Sequence, residues 1–194
     1  LLIINIILLL STDSFTRLHT FTFESLSLED GLSQSTVNCI YQDKRGFLWF
    51  GTANGLNKYD GFSFTIFKHN PLDTTSLSND IINSITEDEE GNLWIGTENG
   101  LNKLIQGEEK ILRIKNESVI NNNPASNNFM SSYRRNGKIW FGTYGSGLCR
   151  FDPAENSFKY FTNNTDKRNQ SSFNYIWNFF PGNEEGILWL ITNG

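Results

Sequence analysis

Side chains able to do acid–base work are few in this chain, and they sit in unpromising places. Asp43 lies three residues before Gly46, and Asp88, Glu89 and Glu90 run directly into Gly91. Two carboxylates facing one substrate could divide the general acid and base roles between them. Here each falls in a predicted hairpin turn, where an Asp bonds its own backbone, so the turn accounts for it. His19 and His69 stand fifty residues apart with no ligand-spaced partner, and a zinc site has no support. Cys39 and Cys149 are the only cysteines, with no Cys-x-x-Cys pair. They read as two small buried strand residues, with a disulfide as the lesser alternative. No Gly-x-Ser-x-Gly, His-Glu-x-x-His or phosphate loop occurs, so no catalytic residue, metal ligand or cofactor is assigned. Aromatic rings are the remaining chemistry. Trp177, Tyr144 and Tyr133 could stack on the apolar face of a sugar ring. Trp177 also falls in a predicted inner strand, where core packing would use it, and the ligand-binding residues stay unknown from sequence.

The elements that would position these groups come from a repeat. Asp43 to Tyr59 contains Gly-Phe-Leu-Trp-Phe-Gly-Thr followed by Gly-Leu-Asn-Lys, and Asp88 to Leu104 contains Gly-Asn-Leu-Trp-Ile-Gly-Thr followed by the same Gly-Leu-Asn-Lys. A third copy runs from Asn136 to Phe151 and a fourth begins at Glu185. The repeated positions are Trp49 and Gly51, Trp94 and Gly96, Trp140 and Gly142, and Trp189; the tryptophans are 45, 46 and 49 residues apart. A period in the forties with strand-like units predicts an all-β fold, a β-propeller, incomplete in this chain. Each unit reads as four strands joined by hairpins. Blade 1 spans 36–68, blade 2 81–115, blade 3 128–161 and a partial blade 4 174–194. Residues 21–35 supply an opening strand, Phe21 to Leu28, and a turn.

The second strand of each unit explains why blades would stack. Phe47-Leu48-Trp49-Phe50 and Ile187-Leu188-Trp189-Leu190 are apolar on both alternating faces, as expected of a strand covered on both sides. Burying each tryptophan is worth roughly 3 kcal/mol or more. The Gly-Thr that follows marks a place where backbones approach closely. The later units depart from the pattern. Arg134 and Asn183 stand where the others have the turn Asp, the third unit has an extra residue at Gly145-Ser146, and Ile191 replaces the repeat glycine in the fourth.

Composition sets bounds. The chain has 194 residues, with 14% aromatic and 19% charged, which suits an all-β chain with much buried surface. A net charge of −5 argues against nucleic acid or an anionic membrane surface as partner of this region. Residues 1–14 read as an apolar leader: Leu1 to Leu10 hold only Leu and Ile apart from Asn5. No methionine or basic residue precedes the run, so Leu1 is expected to lie inside a longer leader, either a cleaved signal or a retained anchor. A buried first strand is the less favoured alternative.

The motif Gly-x-[Leu/Ile]-Trp-[Phe/Ile]-Gly-Thr, then Gly-Leu and a basic residue, resembles the two-component regulator propeller repeat. Leu28 to Val37 resembles the usual opening of such propellers, and the likeness covers about Phe21 to Gly194. It implies the extracytoplasmic sensor of a hybrid two-component protein of the Bacteroidetes type. That arrangement carries tandem seven-bladed propellers, an immunoglobulin-like domain, a membrane span, a histidine kinase, a receiver and a helix-turn-helix end. It implies an oligosaccharide ligand, a homodimeric full-length protein, and a location on the periplasmic side of the inner membrane. The turn Asp is not that of the sialidase Asp-box, which lies two residues before Gly rather than three. Seven blades need about 320 residues at this period. The chain is therefore expected to be a fragment, and expressed alone to aggregate or fold only in part. Three readings follow: a ligand-sensing propeller, a polysaccharide-acting propeller enzyme, or a protein-binding scaffold. The resemblance favours the first.

Overall fold

A computed structural model of the chain describes residues 23–108, 110–116, 127–162, 174–183 and 187–193. Among them, fourteen strands form three four-stranded antiparallel sheets and one two-stranded sheet. The first sheet takes β1 (Val37–Gln42), β2 (Leu48–Thr52), β3 (Gly55–Tyr59) and β4 (Phe64–Phe67) in chain order. The second takes β5 (Ile82–Glu87), β6 (Leu93–Thr97), β7 (Gly100–Leu104) and β8 (Ile111–Ile114). The third takes β9 (Phe129–Arg135), β10 (Lys138–Thr143), β11 (Leu148–Asp152) and β12 (Ser157–Phe161). β13 (Ile176–Pro181) and β14 (Leu188–Thr192) make the fourth. These are successive blades of a propeller. The first strands β1, β5, β9 and β13 lie side by side along the axis.

The hairpins form because their residues satisfy the turning backbone. Asp43 Oδ1 accepts from the amides of Arg45 and Phe47, both at 3.0 Å, and Gly46 takes the positive φ, 92°, that closes the turn. At the next turn the repeat threonine closes the loop. Thr52 Oγ1 donates to the Gly55 carbonyl at 2.9 Å and accepts from the Asn54 amide at 3.0 Å. Thr97 and Thr143 repeat this arrangement in blades 2 and 3.

The core lies between blades rather than within them. Trp49 and Leu56 of blade 1 pack with Leu77, Ile82, Ile85, Leu93 and Ile95 of the next unit. Trp94 and Leu101 of blade 2 pack with Phe129, Ile139, Phe141 and Phe151 of blade 3. Trp49 and Trp94 thus anchor the blade that follows each of them. The repeat glycines allow the approach: a Cβ on Gly51 would come 2.7 Å from Ile82 Cγ2, and one on Gly96 2.9 Å from Phe129 Cβ. On Gly142 it would collide with the Ile176 carbonyl and the Ser131 hydroxyl.

Two expectations change. Residues 23–28 form no strand: Asp30 accepts from both the amide and the hydroxyl of Ser27 at 2.8 Å, so the chain turns locally instead of joining a ladder. Phe23 is left exposed. Nor is every repeat tryptophan buried. Trp140 is half-buried against Phe161, and Trp189 is 64% exposed because no described residue covers the outer face of β14. The leader, 1–14, lies outside the described residues. So do residues 117–126 and 163–173 between the blades. The connection from blade 1 to blade 2 is tied down by Arg113, whose guanidinium donates to the carbonyls of Asn70, Asp73 and Ser76. The cysteines are free, Cys39 beside Gly51 and Cys149 in the second core, and burial pushes both thiols up to about 12.

Gly96→Ala is expected to destabilise the protein by about 1–3 kcal/mol, because the added methyl meets the Phe129 backbone across the blade joint. A denaturant melt of the purified protein measures this, and an unchanged midpoint would show that the joint has room to spare.

Candidate functional site

Of the four turn carboxylates, Asp43 and Asp88 are occupied, while Glu89 and Glu90 are exposed. Asp43 Oδ2 accepts from the Trp49 indole nitrogen at 3.0 Å, and Asp88 Oδ2 from that of Trp94 at 2.9 Å. Asp88 also accepts from the Asn92 amide at 2.7 Å and from its side chain. Burial pushes the Asp88 carboxyl up, but the bonds from Asn92 and Trp94 and the charge of Lys103 outweigh it and hold it below its ordinary value. A carboxylate so committed does not move protons for a substrate. It satisfies the one polar atom of a buried indole. The basic residue of each repeat belongs to the same unit. Lys58 pairs with Trp49 and Lys103 with Trp94 across the ladder, and the ammonium of Lys103 lies 5.0 Å from the indole centre. Trp140 pairs with Arg150, but Arg134 stands where the carboxylate would be, and Trp140 is half-buried. Among the described residues no cluster of His, Cys, Asp or Glu could hold a metal.

The three aromatic candidates separate. Tyr133 on β9 packs toward Phe179, with ring centres 6.5 Å apart. Tyr144 and Trp177 meet at the joint of blades 3 and 4, joined by Tyr175, which sequence reasoning did not single out. Tyr144 stands edge-on to Tyr175 at 4.8 Å and to Trp177 at 6.1 Å. A main-chain bridge links Tyr144 to Tyr175, and the Trp177 indole donates to Asn193 Oδ1 at 2.8 Å. Both outer rings of this group are open, Tyr144 at 45% and Trp177 at 40%. In the hairpin register Tyr144 takes the place of Ala53 and Glu98, four residues after the repeat tryptophan, and Asn193 takes it in blade 4.

Trp177 has a second set of neighbours. The ladder of each inner strand slips once, between Val37 and Cys39, Ile82 and Ser84, Phe129 and Ser131, and Ile176 and Asn178. The residues skipped are Asn38, Asn83, Met130 and Trp177. A bulge re-aims the skipped side chain away from the ladder. These four line one cleft of about 280 Å³ along the axis, together with Ile40, Ser132 and Asn178. Asn38 Nδ2 reaches to the Ile82 carbonyl at 2.9 Å, and Asn83 Nδ2 to Asn128 Oδ1 at 3.2 Å and Met130 Sδ at 3.7 Å, so these two bulge side chains touch the next blade. The signal for this cleft is present in the sequence. Aligned on the tryptophan strands, the four positions read Asn, Asn, Met and Trp inside an otherwise repeated frame.

Residues 31–54 and 76–99 match the two-component regulator propeller family. Each match runs from the buried lead-in, Leu32 or Leu77, through the tryptophan strand to the following hairpin. Over 58 residues, 30% of this chain, the sequence is 57% identical to histidine kinase P4 of Formosa agariphila and spans 4% of that protein. The fold is similar to the extracellular domain of BT4673 from B. thetaiotaomicron, described as a one component system. The TM-score is 0.65 at 29% identity, over 84% of this chain and 21% of that one. PorZ, a surface component of the type-IX secretion system of Porphyromonas gingivalis, shares the fold alone: TM-score 0.65, 15% identity, 87% of this chain and 26% of that one.

Asp88→Ala is expected to cost about 2 kcal/mol, since it leaves the buried Trp94 indole without an acceptor. Arg134→Ala, which breaks only a surface pair with Glu89, costs about 1 kcal/mol or less. Because the Asp88 carboxyl titrates below its ordinary value of 3.8, its contribution is present above that pH and is lost as pH falls through the folded-state value. Acid melts of the wild type and of Asp88→Asn check the sign: the variant shows the smaller loss of stability below about pH 4.

Proposed function

From a chain that carries two-component regulator propeller repeats, we propose that this region is the extracytoplasmic ligand sensor of a hybrid two-component protein. The ligand is a carbohydrate, and the output is control of transcription through a histidine kinase elsewhere in the same protein. The region itself does no catalysis: Asp43 and Asp88 are held by indoles and backbone amides, and Glu89 is paired with Arg134 on the surface. It lies on the periplasmic side of the inner membrane, in a protein that acts as a homodimer.

The observation that carries this reading is the likeness, over 84% of the chain, to the extracellular domain of BT4673. The 57% identity to a histidine kinase supports the output. The open rings of Tyr144 and Trp177 support a sugar, because a pyranose offers an apolar face for stacking and hydroxyls for the amides around it.

The test uses the full-length protein in membrane vesicles, with labelled ATP and a panel of oligosaccharides. At least one neutral or anionic oligosaccharide is expected to change the rate of autophosphorylation. A protein that does not autophosphorylate, or one that ignores every saccharide in the panel, would overturn the proposal.

A further inference from the structure

The sensing reading leaves open where a sugar sits and what kind it is, and the inference here rests on that reading. We propose that the axial cleft is the saccharide site and that it takes a neutral sugar. One ring stacks on Trp177, and its hydroxyls are met by Asn38, Asn83 and Asn178.

Three observations converge. The cleft is built by a device repeated in all four blades, the bulge on the inner strand, yet its side chain varies: Asn in blades 1 and 2, Met in blade 3 and Trp in blade 4. Residues needed for blade packing recur: the tryptophan in all four units, the Gly-Thr and the Gly-Leu in three. Met130 and Trp177 depart from the Asn that bridges to the next blade in blades 1 and 2. Next, Trp177 is held ready for stacking. Tyr144 stands edge-on to it at 6.1 Å, and its indole nitrogen is fixed by Asn193 at 2.8 Å, so little ordering is left for binding to impose.

The lining is polar without being charged. Amides, a thioether and an indole line the cleft, and among the described residues none of its lining is Asp, Glu, Lys, Arg or His. A carboxylated or sulfated sugar would lose its hydration there with no cation to replace it. The volume, about 280 Å³, lies at the lower end of small-ligand sites and suits one or two sugar rings.

Calorimetric titration of the full-length protein with two sets of trisaccharides tests this. The neutral set is gluco-, xylo- and mannotriose; the anionic set is trigalacturonate and a mannuronate trisaccharide. Binding is expected from the neutral set only. Trp177→Ala is expected to lower the affinity by about 30-fold, the usual scale for truncating a tryptophan at the centre of a contact. Trp177→Phe, which keeps a stacking ring, retains most of the binding and shows that the loss is not misfolding. A thermal melt of each variant gives the same control. Binding of the anionic set alone, or neutral binding that Trp177→Ala leaves intact, overturns the site while the sensing reading stands. No binding from either set overturns both.

Discussion

Burying an indole between two sheets creates one demand that the rest of the structure answers. The ring contributes a large apolar area, but its N–H must keep a partner once water is gone. Asp43 and Asp88 meet that demand for Trp49 and Trp94. The same carboxylates close the preceding hairpins, so turn formation and blade stacking are fixed by one group. The lysine paired across the ladder lies over the ring and balances the buried charge. Where Arg134 replaces the carboxylate, the tryptophan is only half-buried, against Phe161 of its own blade. The repeat glycines complete the arrangement by letting the next inner strand come close enough to cover the indole.

A frame fixed in this way leaves other positions free. The inner-strand bulges and the hairpin tips beside them take no part in the blade joints' apolar cores. They can carry Asn, Met, Trp, Glu or Tyr without cost to the stack. In a propeller those positions converge on the axis. Recognition can therefore change from one such protein to another while the joints stay as they are, which is the division of labour expected when loops and strand ends carry binding on a rigid scaffold.

Much of this was legible in the residues. The tryptophan spacing predicted the blades, which appear as three four-stranded sheets and two strands of a fourth. The close approach at Gly-Thr followed from the same repeat. The Asp–Trp bond was not legible, because it joins residues six apart across a turn, and turn chemistry alone already explained the Asp. Trp177 read as core because alternation has no place for an extra residue, and the bulge turns that side chain out of the joint. Tyr175 went unnoticed because only the main-chain bridge to Tyr144 brings it beside Trp177. Phe21 to Leu28 looked like a strand by loose alternation, but the Ser27–Asp30 bonds are local and form without a partner strand.

The central claim is that a rigid set of blade joints presents a variable axial surface to a sugar. Hydrogen–deuterium exchange on the full-length protein, with and without a neutral trisaccharide that it binds, tests this most directly. The account predicts added protection in β1, β5, β9 and β13 and in the 143–147 hairpin. It predicts no change in the 43–47 and 88–92 turns, which are closed already. Protection that appears in those turns or on the outer strands, with the inner strands unchanged, would contradict it.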